Sequence, residues 1–303
     1  MAFNWFANNA TGCGKVQIVI GKTTNPGDFA NPYKTVNATC LENNTLNKAV
    51  VTGLSPNTAY SFRVGGVNNN WSNIGTFTTA KANQDPFSFI YITDTQVGNF
   101  VALKTRTDTA AAKYPNAKFW LHSGDMIWHG YDSEEWKDFF NSQQAMFCHF
   151  PFAPVMGNHD AEGNTINFSR HFNLNSTSFD SHKSTYTFVY GDAQFFAINS
   201  EFYNDAPYIT ALSNWMRAEV VAHPNTKWRF VYFHRSTYTA AGDLQNDLGT
   251  KQWRQTITPL FDELNIDIVF FGHDHVYQVI GPVYNKELVQ FSVSNVVQGN
   301  SDS

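Results

Sequence analysis

Ile266-Asp267-Ile268-Val269-Phe270-Phe271-Gly272-His273-Asp274-His275 is an apolar run that ends in a glycine and two imidazoles on alternate residues. A short run with so little polar alternation reads as a strand buried on both faces. Residues just past the carboxyl end of such a strand stand where open α/β sheets bind ligands. Gly272 is expected to turn the backbone sharply so that both rings face one cavity. Upstream, Gly157-Asn158-His159-Asp160 adds an amide and another imidazole in a glycine turn. Either motif alone is weak. Together they supply the donor types of a two-metal hydrolase.

The same arrangement recurs along the chain. Apolar runs at 87–93, 117–122 and 228–234 end at Asp94, at Ser123-Gly124-Asp125 and at His234, while Pro154-Val155-Met156 leads into Gly157-Asn158. Helical periodicity at 101–113, 133–146, 208–222 and 250–264 separates the runs, which predicts an α/β layered domain. Ser133, followed by Glu134 and Glu135, is expected to cap the second helix. Residues 185–199, with Gly191-Asp192 at the centre, read as a hairpin. A lone Asp at a strand end is ordinarily a cap, and a lone His on an apolar strand a core residue. Six such residues in order, each at a strand end, argue for one site. Carboxylate, amide oxygen and imidazole suit Mn, Fe or Zn, and the lack of thiolates disfavours a structural zinc.

The first 80 residues read differently. Short alternating runs at 16–20, 48–51, 59–64 and 75–79 are divided by Asn25-Pro26-Gly27, Ser55-Pro56-Asn57 and Asn68-Asn69-Asn70, the pattern of an all-β unit. Gly53-Leu54-Ser55-Pro56-Asn57-Thr58-Ala59-Tyr60 resembles the corner of a fibronectin type III sandwich, in which a buried tyrosine (Tyr60) ties the corner to its own backbone and an early tryptophan (Trp5) fills the core. A complete sandwich of that kind has one more strand before Met1, so a truncated N-terminus is expected. Residues 81–86 read as a polar linker ending in Pro86.

The 303-residue chain, 42% hydrophobic with 27 Phe, 13 Tyr and 8 Trp, can build a sizeable core. A net charge of −5 without a basic run disfavours nucleic acid or an anionic membrane as the main partner. No stretch approaches the 18 or so apolar residues of a membrane span, and the first residues lack the pattern of a signal peptide. Cys13 and Cys40 either pair, leaving Cys148 single, or all three remain thiols. Glycosylation sequons at Asn9, Asn37, Asn43, Asn70, Asn167 and Asn175 occur at about the chance rate and do not establish secretion.

The ordered series Asp94, Gly124-Asp125, Gly157-Asn158-His159-Asp160, His234 and Gly272-His273-Asp274-His275 resembles the calcineurin-like metallophosphoesterase superfamily. The β unit in front, the blocks Trp71-Ser72 and Phe77-Thr78-Thr79, and Gly281-Pro282-Val283-Tyr284-Asn285 are similar to the purple acid phosphatase branch. The resemblance implies a fibronectin III-like sandwich over 1–80, a linker over 81–86, and a four-layer αββα metallophosphoesterase domain over 87–303. It further implies that Asp125 bridges two metals about 3.5 Å apart. Asp94 and His275 would hold the first; Asn158, His234 and His273 would hold the second. The pair would acidify a water to hydroxide, and His159 would donate to the leaving oxygen. Asp125 and His159 are then the catalytic residues, the substrate a phosphate ester, and the location extracytoplasmic. A phosphomonoesterase is the first expectation. A phosphodiesterase or nucleotide-cleaving enzyme with the same core is the second, and a binding protein working through its β unit the third.

Three departures from the branch modify these expectations. Trp128 stands where the branch has a metal-binding tyrosinate, and an indole cannot bind a metal. Gln96, or less simply His129, is the nearest replacement, so a colourless site holding divalent Mn, Fe or Zn rather than Fe(III) is expected. No histidine follows His234 at about ten residues, where plant-like relatives have one or two, which leaves Arg235 to bind phosphate with its planar fork. Finally, the chain stops soon after the last His pair, so a shortened catalytic domain with an exposed edge strand is expected.

Overall fold

The computed structural model describes residues 1–288 except 8–10, 43, 82–85, 97, 99, 164–165 and 242–246. Most of the expected linker, sequons Asn9 and Asn43, and the chain beyond residue 288 therefore lie outside the described residues. Eight strands come first: β1 (Ala2–Phe6), β2 (Lys15–Ile20), β3 (Lys34–Asn37), β4 (Thr39–Leu41), β5 (Leu46–Val50), β6 (Ala59–Val67), β7 (Asn70–Trp71) and β8 (Gly75–Thr78). They form two sheets, β1-β5-β4 and β3-β2-β6-β7 with β8 also on β6. Phe3 and Ala49 from the first meet Val16, Ile18, Tyr60 and Phe77 from the second in one core, with Trp5 packed at its side. The Tyr60 hydroxyl accepts from Ser55 N at 2.9 Å. Cys13 and Cys40 form a disulfide, and Cys148 is free.

Two further sheets follow, and a two-stranded ribbon of Val283–Tyr284 and Glu287–Leu288 ends the described chain. Strands β9 (Ile90–Ile92), β10 (Trp120–His122) and β11 (Phe152–Pro154) are parallel, in the order β11-β10-β9. Strands β12 (Tyr186–Tyr190), β13 (Ala193–Ala197), β14 (Trp228–Arg235) and β15 (Ile268–Gly272) make the other sheet in sequence order, β12-β13 being the expected hairpin. Side chains alternate across the second sheet. Phe195 and Tyr232 meet Phe119, Leu121 and Val155 between the two sheets. Phe196, Val231 and Phe233 point the other way, onto α5 (Ala206–Ala222) and α6 (Leu248–Glu263). On the far side of the first sheet, Leu103 of α1 (Phe100–Lys113) and Trp136 and Phe139 of α2 (Ser133–Ser142) pack with Met126, Met156 and Phe168. The layers thus run helix, sheet, sheet, helix.

Two local expectations are corrected. Asp132, not Ser133, caps α2, because its carboxylate accepts from the amides of Glu134 and Glu135. The helix expected over 133–146 breaks at Gln143, whose side chain accepts a buried hydrogen bond from Thr107 (2.6 Å), and resumes as α3 (Gln144–Phe147).

A short helix, α4 (Ile166–His171), joins the two halves of the molecule. Lys48 of β5 donates to the Ser169 and Phe172 carbonyls, while the Asn173 amide donates to those of Phe3 and Ala49. Burial pushes the Lys48 ammonium down to about 8. Asn167 of the fifth sequon is 3% exposed and donates to Gly130 O at 2.8 Å, so that site is closed to modification.

His171 is buried against Trp136, Phe140 and Phe6, and neither ring nitrogen has a hydrogen-bond partner. Burial, with Lys48 and Arg170 nearby, pushes its pKa down to about 3 from the usual 6.5. Between those values the unfolded chain binds a proton that the folded chain refuses, so stability falls as pH drops below about 6.5. At ~1.4 kcal/mol per pH unit, the loss is about 2 kcal/mol by pH 5. Replacing His171 by Phe should flatten the fall in melting temperature between pH 7 and pH 5; an unchanged slope would refute this role.

Candidate metal centre

The loops after β9, β10, β11, β14 and β15 converge, and several of their residues adopt uncommon backbone angles. Asp94, Asp125, His273 and His275 all have left-handed φ, at 52°, 56°, 75° and 53°. Such conformations cost on the order of 1 kcal/mol each and persist where the surroundings enforce them. Gly272 is not left-handed; the turn expected of it is made by the histidines themselves. Glycine is needed there for space, because a Cβ would lie 2.0 Å from Thr93 Oγ1 and 2.2 Å from Asp94 Oδ2. On β14 the register slips between Phe233 and Arg235, so His234 is an inserted residue, re-aimed by a bulge.

Two groups of donor atoms result, each within 4.8 Å: Asp125, His234 and His273, and Asp94, Asp125 and His275. Asp125 is common to both. His234 Nδ1 sits 3.1 Å from the Ser123 carbonyl oxygen, which only accepts, so Nδ1 carries the hydrogen. His234 Nε2 then turns a lone pair toward Asp125 Oδ2 (3.1 Å), Asn158 Oδ1 (3.0 Å) and His273 Nδ1 (3.2 Å). Lone-pair groups converging this way leave a place for a cation. His275 Nε2 lies 3.4 Å from Asp94 Oδ1, and its side chain is 55% exposed, so the second group is open on one side.

The acidic surroundings favour a positive charge at this point: a proton on His234 Nε2, or a cation that takes the Nε2 lone pair in its place. Burial opposes a charged His234, but the carboxylates of Asp125, Asp94 and Glu201 prevail and hold its pKa up, to about 9. Burial resists ionisation of Asp125 too, yet the neighbouring His234 charge and the amide of His159 keep that carboxylate below its usual range. Burial raises Asp94. Burial lowers His273 to about 4, with His234 and Arg235 adding to the effect.

Asp160 organises the loops and was assigned no role from the sequence. Fully buried, it accepts from the amides of Asp125, Met126, Ile127 and Gly157, stitching the loop after β10 to the loop after β11. Burial and the Asp125 charge push its carboxyl up, to about 8, against those N–H donors. The amides of Thr95 and Gln96 donate to Asp125 O, which joins the loop after β9 to the same cluster.

The residues at the points of departure are also placed. Gln96 Nε2 lies 3.3 Å from Asp125 Oδ2 and 3.2 Å from His275 Nε2, and its Oε1 is buried without a partner. The amide therefore stands at the second group, with its oxygen unused. Trp128 stays outside: its indole, 38% exposed, lies edge-on to the His159 ring at 4.8 Å. His129 pairs with Glu135 at 3.3 Å and joins neither group. His159 Nδ1 lies 2.9 Å from the Trp128 carbonyl, which leaves Nε2 without a protein partner among the described residues. Arg235 is not a solvated surface arginine, because its Nε and Nη2 both reach Glu201 Oε2, at 3.1 and 2.9 Å.

Such a centre on paired sheets between helices defines a metallophosphoesterase, and the chain belongs to the calcineurin-like phosphoesterase family, whose model matches residues 87–277. Residues 1–79 match the N-terminal domain of purple acid phosphatase. Over 93% of its length the chain is 24% identical to the uncharacterized protein Rv2577 of Mycobacterium tuberculosis, and over 52% it is 25% identical to purple acid phosphatase 18 of Arabidopsis thaliana. The structure of purple acid phosphatase PPD1 from yellow lupin (Lupinus luteus) seeds superposes on 95% of the chain with a TM-score of 0.78 at 16% identity. The chain spans 60%, 37% and 58% of the lengths of these three proteins.

Proposed function

We propose that this chain hydrolyses phosphate monoesters at a dinuclear centre bridged by Asp125, with Asp94, His275 and Gln96 on one metal and Asn158, His234 and His273 on the other. The observation that carries this reading is the convergence of lone pairs from Asp125, Asn158, His234 and His273 on one point, with the unused Gln96 oxygen beside the second group. Two dications bound there would supply Lewis acidity, neutralising the phosphate oxygens and acidifying a water.

The chain's own groups do the rest. Asp160 fixes the Asp125 backbone through its amide, and the amide of His159 holds the Asp125 carboxylate in place. The His159 ring, fixed through Nδ1–H on the Trp128 carbonyl, presents Nε2 to the leaving oxygen and protonates it when the ring is charged. Arg235 binds the phosphate. The N-terminal sheets form a fibronectin III-like module, which the buried Tyr60 and its bond from Ser55 support. An extracytoplasmic location is supported by the Cys13–Cys40 disulfide.

Metal-free protein reloaded with Mn, Fe or Zn should hydrolyse p-nitrophenyl phosphate faster than its bis-ester and show no visible charge-transfer band. The opposite preference would make it a diesterase, and a strong band would place an anionic oxygen ligand that Trp128 cannot provide. No hydrolysis with any metal would overturn the reading.

A further inference from the structure

We infer that Glu201 is a positioning residue that holds the Arg235 fork so that its remaining nitrogen, Nη1, faces an anionic oxygen of the substrate. Glu201 has no sequence motif around it and lies in the 3-10 turn Ser200–Phe202, after β13. That turn grips Arg235 twice: Ser200 Oγ accepts the Arg235 amide at 2.9 Å, and Glu201 Oε2 takes both Nε and Nη2. The Tyr203 ring lies 5.4 Å from the guanidinium carbon. Glu201 and Arg235 are 10% and 23% exposed, so the pair is largely withdrawn from water.

With Nε and Nη2 occupied, Nη1 is the edge left over, 3.4 Å from His273 Nε2. His273 Nδ1 faces the lone-pair cluster around His234 Nε2. In this structure Nη1 and Nε2 share a hydrogen bond; were a metal held through Nδ1, the ring hydrogen would lie on Nε2, and both would be donors with no acceptor between them. Two converging donors at the edge of a phosphate-ester site call for an anionic oxygen. A free guanidinium beside two dications would be repelled into solvent; the Glu201 carboxylate cancels that charge and fixes the fork. Its second oxygen, Oε1, is buried without a partner, so the carboxylate gains nothing by turning away from Arg235. The anionic oxygen belongs either to the phosphate undergoing transfer or to a second phosphate on the leaving group.

This inference rests on the hydrolase reading above, and the test separates the two. Binding of orthophosphate and of pyrophosphate to the metal-loaded full chain is measured by calorimetry for wild type, Glu201→Gln, Glu201→Asp and Arg235→Ala, alongside metal content and the KM and kcat of p-nitrophenyl phosphate. Glu201→Gln should raise the orthophosphate Kd and KM on the order of tenfold, the scale of one charged hydrogen bond, with kcat within about threefold and metal content unchanged. Glu201→Asp should recover part of the loss. The double variant Glu201→Gln/Arg235→Ala should be no worse than Arg235→Ala. Weakened pyrophosphate with unchanged orthophosphate would place the fork on the second phosphate. Unchanged binding of both, or additive losses in the double variant, would overturn the role of Glu201. A wild type that binds metal but neither hydrolyses nor binds phosphate would instead overturn the hydrolase reading. If Glu201→Gln lost metal or fold, the Glu201→Asp and Arg235→Ala comparison would still decide.

Discussion

Replacing Asp125 by Asn is expected to lower kcat for p-nitrophenyl phosphate by at least about 10²–10³-fold, the range seen when one preorganised electrostatic contact is lost from a transition state. The isosteric change keeps shape and removes charge. Asp125 Oδ2 faces His234 at 3.1 Å and Gln96 at 3.3 Å, while Oδ1 accepts the His159 amide at 2.9 Å. It alone belongs to both donor groups. An amide there offers a single weak oxygen ligand and turns an NH2 toward a position meant for a cation. Metal stoichiometry should fall together with activity, measured by elemental analysis after gel filtration. Wild-type turnover by a well-folded Asp125→Asn protein would refute the bridging assignment.

Gly272→Ala should weaken the same site by a different route. The new methyl would lie 2.0 Å from Thr93 Oγ1 and 2.2 Å from Asp94 Oδ2, closer than Cβ atoms approach. Thr93 donates to Asp94 Oδ2 at 2.7 Å, and the His273 amide donates to both Asp94 oxygens at 3.0 Å. One methyl therefore disturbs the Asp94 carboxylate, its orienting hydroxyl and the amide of His273. Overpacking costs about 1–3 kcal/mol, so the protein should still fold but with a melting temperature lower by several degrees. Metal affinity should fall at least about tenfold. Calorimetric titration of metal into the two proteins tests this, and equal affinities would show that the crowding relaxes harmlessly.

The apolar runs made the strand ends legible, and with them Asp94, Asp125, Asn158, His234, His273 and His275, because buried parallel strands leave a strong one-dimensional signal. Strand lengths were overestimated: the run at 87–93 contributes only Ile90–Ile92 to the ladder, whose partner β10 is equally short. The reason for Gly272 was misread as torsional. The need for space comes from Asp94, 178 residues earlier, and nothing near Gly272 in the chain records it. Glu201 was invisible for the same reason. Its partner lies 34 residues away, and a single glutamate after a strand has many ordinary explanations. Asp160 was visible as a letter in a motif, but the amides it gathers from another loop were not. The bulge at His234 left no trace either, because register is set between strands.

The placement of α4 gives the N-terminal sheets a mechanical meaning. One end of this helix is pinned by Lys48 and Asn173 to β5 and β1, and Asn167 within it holds the Gly130 carbonyl. Gly130 N in turn donates to the carbonyl of His159, two residues beyond the Trp128 carbonyl on which the His159 ring rests. The sheets therefore act as an anchored abutment and α4 as a strut, whose far end props the rim that carries His159.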